Sequence, residues 1–478
     1  MAQVDTSVPV RELTVAGETL TTDETRVVRS PWDGAAISAV PVVGAAEATR
    51  AVAAAAEAMR TQLPAHERAE ILERASATIR DRREDLAGLL AREIGKPLKQ
   101  ALVEVDRCAQ TLAFSAVEAR TLAGRGIPVD AHPAGIGRRG YTIRVPVGVV
   151  AAITPFNFPL NLAAHKVGPA VAAGCGAVLK PASVAPLAAI ELVAILHEAG
   201  LPRELLSVVT GPASEIGDIF VADDRVRMIT FTGSADVGWE LAGRARKKHV
   251  SLELGNSTPL IVCADADLDA AADAAALSGN GFAGQSCISV QRVLVEQSVH
   301  DDFAERLVAA VERLKVGDPT ADDTDVGPLI DADARTRVDE WIDEAADAGA
   351  ERLAGGTFDG GHLRPTVLDR VPTEVRAWER EIFGPVLGLR TFASLDEAIE
   401  LANGTAYGLQ AGIFTRDLAT AIRASEQLEF GGVTVNEAPT FRVDQMPYGG
   451  TKESGNTREG PHYTVREMTE ERMVVIKL

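Results

Sequence analysis

Val147-Gly-Val-Val-Ala-Ala-Ile153 is an unbroken apolar run, and the chain beyond it repeats the type. Leu162 to Ala173 reads as a helix, Gly176-Ala-Val-Leu179 as a strand and Leu187 to Ala199 as another helix. Leu205-Leu-Ser-Val-Val209, Ala213 to Ala222, Arg227-Met-Ile-Thr-Phe231 and Val237 to Arg246 continue the alternation. Short strands that are apolar on both faces, separated by helices, form a parallel sheet covered on both sides. Such sheets bind ligands beyond the carboxyl ends of their strands, so this half has a nucleotide-binding pattern and the fold class is α/β.

Upstream, residues 45 to 124 are helical in pattern, with amphipathic stretches over Ala45 to Met59 and His66 to Arg92, the second punctuated by Gly95-Lys-Pro97. Downstream, a second α/β series runs from about Leu252 to Phe430, with a helix over Val299 to Leu314 and a strand over Pro385 to Phe392. Gly140-Tyr-Thr-Ile-Arg-Val145 and Arg472-Met-Val-Val-Ile-Lys477 alternate instead. Marginal strands of this kind leave unpaired edges that a second subunit covers, which points to a homo-oligomer. Gly135-Ile-Gly-Arg-Arg-Gly140 matches GxGxxG, but a strand follows its last glycine where a phosphate cradle needs a helix; it reads as a hairpin turn.

The 478 residues allow two or three domains at roughly 150 residues each. Hydrophobic residues at 46% and charged residues at 24% are those of a folded globular chain. A net charge of −20 repels phosphate backbones and anionic lipid, arguing against nucleic-acid and membrane partners. The four cysteines lack the spacing of a disulfide framework or a metal site, which fits a reducing compartment. Met1 to Thr6 carries no secretory pattern, and the uncharged run Val145 to Ala164 is broken by Pro146, Pro155 and Pro159, so a cytoplasmic location is expected.

Three constellations carry chemistry. Cys287 lies among small and polar neighbours in Gly281-Phe-Ala-Gly-Gln-Ser-Cys-Ile-Ser-Val290, whereas Cys108, Cys175 and Cys263 read as small core hydrophobes. Glu253 interrupts an apolar strand in Val250-Ser-Leu-Glu-Leu-Gly255. Two readings stand for it: a buried carboxylate satisfied by backbone amides, or a base. Asn157 is held between prolines in Ile153-Thr-Pro-Phe-Asn-Phe-Pro159, at the end of an apolar strand. A thiol, a buried carboxylate and a fixed amide are the parts of an acyl-transfer site with an oxyanion hole.

With Leu179-Lys-Pro-Ala-Ser183, Phe231-Thr-Gly-Ser234, Glu381-Ile-Phe-Gly-Pro385, Tyr407-Gly-Leu409 and Pro447-Tyr-Gly-Gly-Thr-Lys-Glu-Ser-Gly455 added, the chain resembles the NAD(P)-dependent aldehyde dehydrogenases over nearly its whole length. The resemblance implies two doubly wound parallel-sheet domains and a small β oligomerisation arm. Cofactor binding would fall to 1–124 and 147–252, catalysis to 253–435, and the arm to 125–146 and 460–478, in a homodimer or homotetramer. It implies that Cys287 attacks the aldehyde, that Asn157 and the Cys287 N–H hold the oxyanion, and that Glu253 activates the water that hydrolyses the thioester. No histidine lies in the matched motifs, and what lowers the Cys287 pKa is not visible in the sequence.

For the cofactor the resemblance implies Ile153, Thr154, Lys180, Ser183, Gly217, Phe231, Ser234, Leu254, Glu381 and Phe383. Ser183 stands where NAD-preferring relatives often carry a glutamate, so NADP is expected to be favoured over NAD. Glu253-Leu-Gly-Asn256 departs from the usual Glu-Leu-Gly-Gly, altering the loop after the base. For the substrate the resemblance implies Arg107, Phe158 and Arg442 around the aldehyde entrance. Two guanidinium groups there would clamp an anion, which points to a small anionic or hydroxylated aldehyde of the lactaldehyde, glyceraldehyde-3-phosphate, semialdehyde or phosphonoaldehyde type. Ser286 departs from the phosphonoaldehyde pattern, where an arginine can precede the cysteine. The competing readings are a CoA-acylating semialdehyde dehydrogenase, a non-catalytic cofactor-binding or structural protein, and a cysteine hydrolase.

Overall fold

The computed structural model describes residues 8–478; Met1 to Thr6, which bear the expectation of a leaderless start, lie outside the described residues. The alternating stretch from Val147 forms a five-stranded parallel sheet of Val149–Ile153, Ala177–Lys180, Leu206–Val208, Val226–Thr232 and His249–Glu253. In space Val149–Ile153 lies between Ala177–Lys180 and Val226–Thr232, so the chain changes direction across the sheet at that point. Such a switch opens a crevice beyond the strand ends. The helix Asn161–Ala173 is buried along its whole length, which is why its sequence shows no polar stripe.

The second series builds a seven-stranded sheet whose centre is Val386–Phe392, Val290–Glu296 and Thr258–Val262, parallel except for the edge strand Glu351–Ala354. Gly140–Val145 and Arg472–Lys477 fall in strands Arg138–Pro146 and Thr469–Lys477, which pair antiparallel with each other from Pro146↔Thr469 to Arg138↔Lys477. The outer strand still has a free edge in the chain and exposes Met473, Val475 and Ile476. The glycine run 135–140 spans the end of the connection between Gly126–Ile127 and Arg138–Pro146 and the start of the second of these strands, which form an antiparallel pair.

One helix differs from expectation. The single stretch from His66 to Arg92 is two helices, Ala65–Asp81 and Arg83–Ile94, broken at Arg82. Arg82 leaves helical geometry at φ −99° and ψ 20°, and its guanidinium reaches Glu191 at 2.8 Å. The apolar periodicity continues through the break because both helices bury leucines against the same core.

Arg292 ties the second sheet to one of its covering helices, Leu395–Asn403. It is fully buried in the strand that follows Cys287 and donates to the carbonyls of Ser257 (3.0 and 2.8 Å), Leu401 (2.9 Å) and Ala402 (2.9 Å). Burial lowers its pKa to about 9, yet it stays cationic at the end of the helix Leu395–Asn403, where the helix dipole favours positive charge. Arg292→Met strands these buried carbonyls and is expected to lower unfolding stability by about 3 kcal/mol in urea titrations. A loss below about 1 kcal/mol contradicts this role.

Candidate active site

Cys287 sits after a strained stretch of backbone. Phe282, Ala283 and Gly284 all have left-handed φ values of 50°, 52° and 70°. A Cβ on Gly284 would lie 2.1 Å from the Gly384 carbonyl, so only glycine fits there. Gln285, fully buried, holds the turn: its Nε2 donates to Phe282 O (3.1 Å) and Pro328 O (3.2 Å), and its Oε1 accepts from Ile330 N–H (2.8 Å). Strain at such a turn persists only where its surroundings fix it. The thiol then faces a cavity of about 710 Å³. Its Sγ lies 2.9 Å from Tyr448 Oη; burial pushes the thiol up to about 12, and the Tyr448 contact acts in the opposite direction.

Glu253 ends the strand His249–Glu253 and faces the same cavity. Neither carboxylate oxygen has a hydrogen-bond partner among the described residues, so their backbone amides do not satisfy it. Burial first, and then the Glu459 charge, raise its pKa well above the ordinary carboxylate range.

Asn157 is buried at the end of Val149–Ile153. Its Nδ2 donates to Gln285 O at 3.1 Å, which leaves its second amide hydrogen available, and its Oδ1 has no partner. The Cys287 N–H is committed to no acceptor among the described residues. Lys96 fixes this turn: its Nζ donates to Asn157 O at 2.7 Å, pairs with Glu104 and lies 3.6 Å from the Phe158 ring centre. Glu104 in turn accepts from the N–H groups of Leu160 (3.0 Å) and Asn161 (3.2 Å).

Most of the other expected residues lie at or just beyond the carboxyl ends of the first sheet's strands, with Gly217 in the helix Ala213–Ala222 and Glu381 and Phe383 in the loop before Val386. Ile153 and Phe231 are neighbours in register at the ends of adjacent strands. Thr154 Oγ1 and Thr232 Oγ1 are buried without partners among the described residues. Lys180 ends its strand with only the Pro181 carbonyl (3.1 Å) as partner, and no carboxylate pairs with it among the described residues; burial, then the Arg26 charge, lower its pKa to about 8. Ser183 is half-buried in the following turn. Ser234 precedes the helix Ala235–Arg244 with no capping bond, and Gly217 has open space where a side chain would stand. Leu254 is buried and lines the cavity. Phe383, at φ 48°, meets Phe156 edge-on at 5.9 Å. Glu381 accepts from the Asn256 N–H at 3.0 Å and is raised to about 7 by burial. Asn256 also cross-links the loop through Thr258 Oγ1 (2.8 Å) and Gln410 O (3.0 Å), which gives its departure from glycine a structural role.

Arg107, Phe158 and Arg442 all line the cavity. Each arginine already has a carboxylate: Arg107 pairs with Asp444 and Arg442 with Glu459, at 2.8 and 2.7 Å. Arg442 Nε nevertheless remains buried without a partner among the described residues. The residues that sequence reading missed are those behind this wall. His165 Nε2 lies 2.9 Å from Asp444, Lys166 Nζ 3.9 Å from Glu459, and Arg442 stacks 3.8 Å over Tyr448. Their signal was a His-Lys pair inside the otherwise largely apolar, fully buried helix Asn161–Ala173.

The sequence profile of the aldehyde dehydrogenase family matches residues 19–474. A 3-sulfolactaldehyde dehydrogenase from Priestia aryabhattai is 43% identical over 466 residues, covering 98% of each chain. Aldehyde dehydrogenase 21 from Physcomitrella patens, solved with its reaction product succinate, superposes with a TM-score of 0.94 at 39% identity, covering 98% of this chain and 99% of that one. The NADP-dependent glyceraldehyde-3-phosphate dehydrogenase from Bacillus halodurans C-125, complexed with NADP, gives 0.95 at 36% identity, covering 98% and 99%.

The raised pKa of Glu253 has a thermodynamic sign. The folded chain keeps the proton that the unfolded chain loses in the ordinary carboxylate range, so this group's contribution to stability falls as pH rises towards the folded pKa. Glu253→Gln removes the dependence. The difference in melting temperature, variant minus wild type, is expected to grow from pH 5 to pH 8; a pH-independent difference contradicts the assignment.

Proposed function

Because the chain belongs to the aldehyde dehydrogenase family, we propose that it oxidises a short aldehyde with an anionic or hydroxylated tail to the carboxylic acid, using NAD(P) and favouring NADP. One observation carries the substrate class. Cys287, Glu253, Arg107 and Arg442 line one cavity, and the Arg442 Nε is buried without a partner among the described residues.

The roles follow from the positions. Cys287 as thiolate adds to the aldehyde carbon, and the new oxyanion takes the second Asn157 amide hydrogen and the Cys287 N–H. The nicotinamide, when bound, supplies the hydride acceptor. Glu253, once deprotonated, draws a proton from water, which cleaves the thioester and frees the acid. Arg107 and Arg442 hold the anionic tail. Phe158, pinned by Lys96, supports the apolar side of the cavity.

The residues fit a dinucleotide. The buried, carboxylate-free Lys180 and the partnerless Thr154 and Thr232 hydroxyls at the switch crevice match a group rich in phosphate and ribose oxygens. Lys180 and Glu381 would take ribose hydroxyls, Ser234 the pyrophosphate and Phe383 the nicotinamide ribose, with Ile153, Thr154, Gly217, Phe231 and Leu254 shaping the crevice. Ser183 brings no charge against a 2′-phosphate, and Lys180 attracts it, which supports NADP. In this reading residues 1–124 and 147–252 serve the cofactor and 253–435 the chemistry. The sheet of 125–146 and 460–478 pairs with a second copy in a homodimer or homotetramer. No helix among the described residues is long and apolar enough to cross a membrane. Transfer of the acyl group to CoA needs no water-activating base, so Glu253 favours hydrolysis.

Initial rates of reduced-cofactor formation test this with neutral, hydroxylated, carboxylated, sulfonated and phosphorylated short aldehydes, each with NADP and NAD, with and without CoA. Turnover concentrated on anionic or hydroxylated aldehydes is expected without CoA. Equal turnover of neutral aldehydes would discard the arginine clamp, and a requirement for CoA would replace hydrolysis by transfer. Arg107→Ala is expected to raise KM for anionic aldehydes about tenfold or more, with neutral aldehydes unchanged. Ser183→Glu is expected to move preference from NADP towards NAD; an unchanged ratio contradicts the charge argument.

A further inference from the structure

Cys287 needs something that favours its thiolate, because the cavity around it is unfavourable to negative charge. Glu253 and Glu381 both act against ionisation of the thiol, and burial acts in the same direction. The nearest group that donates to the sulfur is a phenol. Tyr448 is buried, and its Oη lies 2.9 Å from Cys287 Sγ.

Either atom can donate in the neutral pair. Their intrinsic acidities decide what happens when one proton leaves. A thiol ordinarily ionises near pH ~8.5 and a phenol near pH ~10. The sulfur therefore loses its proton to solvent in the cavity, and the phenol O–H turns to donate to the thiolate. The surroundings strengthen that donor. The Arg442 guanidinium lies 3.8 Å from the Tyr448 ring centre and draws electron density from it, while Glu459 pairs with Arg442 and keeps it in place. The backbone fixes the ring as well: the Tyr448 N–H donates to Glu459 O at 3.0 Å, and the Glu459 N–H donates back to Tyr448 O at 2.5 Å.

We propose that Tyr448 is the hydrogen-bond donor that stabilises the Cys287 thiolate, with Arg442 acting through the tyrosine ring to strengthen it. The proposal rests on Cys287 being the nucleophile, but it concerns how that thiol ionises and so is read without turnover. The groups that face the pair are Glu253, Glu381 and Arg442, with Glu459, Lys166 and His165 behind them. Burial and the facing thiol both raise the Tyr448 pKa, which keeps its proton in place across the range where the thiol titrates.

The test is the rate of alkylation by iodoacetamide from pH 6 to pH 10 on the full-length chain without cofactor. Here an S–C bond forms and iodide leaves. A Cys287→Ala background corrects for the three buried cysteines, Cys108, Cys175 and Cys263. Tyr448→Phe keeps the ring under Arg442 and removes only the hydroxyl. It is expected to displace the rising limb of the profile up by about one pH unit, lowering the rate at pH 7 about tenfold. A second arm does not depend on that variant folding. Biosynthetic replacement of the tyrosines by 3-fluorotyrosine makes the phenol a stronger acid and a better donor, and is expected to displace the rising limb down in pH and raise the rate at pH 7. Only Tyr448 among the four tyrosines bonds the thiol. Opposite shifts in the two arms are the signature of donation, which a packing role would not produce. A profile unchanged in either folded protein overturns the proposal. Failure of the dehydrogenase reading would instead appear as an absence of turnover with an intact alkylation profile.

Discussion

The candidate site depends on one buried cation. Lys96, with its side chain almost wholly enclosed, pairs with Glu104 and donates to the Asn157 carbonyl, while the rings of Phe158 and Phe282 lie 3.6 and 4.8 Å from its ammonium. Its burial lowers its pKa to about 8, so the charge survives near neutrality because the carboxylate partner is buried with it. Breaking such a pair by removing one partner strands the other charge, which is far costlier than never having had the pair. Through Glu104 the same pair holds the start of the helix Asn161–Ala173. One ion pair thus joins the long helix Leu98–Thr121, the turn that carries Asn157 and the loop that leads to Cys287.

A layered wall of charge stands behind the cavity. Burial would raise the Asp444 pKa, but His165 and Arg107 outweigh it and hold this carboxylate ionised. Burial likewise opposes the Arg442 charge, and Glu459 restores it. Glu253 has no such partner, and so it alone among these carboxylates is pushed far upward. Neighbouring carboxylates with opposite shifts are what a site needs when one must stay ionised to hold an arginine and another must exchange a proton.

Much of this was legible in the sequence, for identifiable reasons. The parallel sheet from Val149 to Glu253 was readable because its strands and the helix Asn161–Ala173 are buried, and burial writes itself as apolar runs. The aldehyde dehydrogenase resemblance was carried by short motifs at turns such as Pro155 to Pro159 and Gly284 to Cys287, where backbone constraints leave few residue choices. Glu253 stood out because a carboxylate in an apolar strand violates the local pattern. The break at Arg82 was hidden, since the apolar periodicity passes through it unchanged. Pairings such as Arg107 with Asp444, or Tyr448 with Cys287, join residues far apart in the chain and leave no local trace. The mutual pairing of Arg138–Pro146 and Thr469–Lys477 was hidden for the same reason: alternation marks a strand without naming its neighbour.

The central claim is that the carbonyl is carried on Cys287 and released with the help of Glu253. It is tested most directly by acid-quenching the Glu253→Gln variant after mixing with NADP and a short carboxylated aldehyde, then weighing the peptide that contains Cys287. The expected result is a burst of NADPH with an acyl group accumulating on that peptide as a thioester. Continuous NADPH formation with an unmodified Cys287 peptide, or an acyl group on another residue, would contradict it.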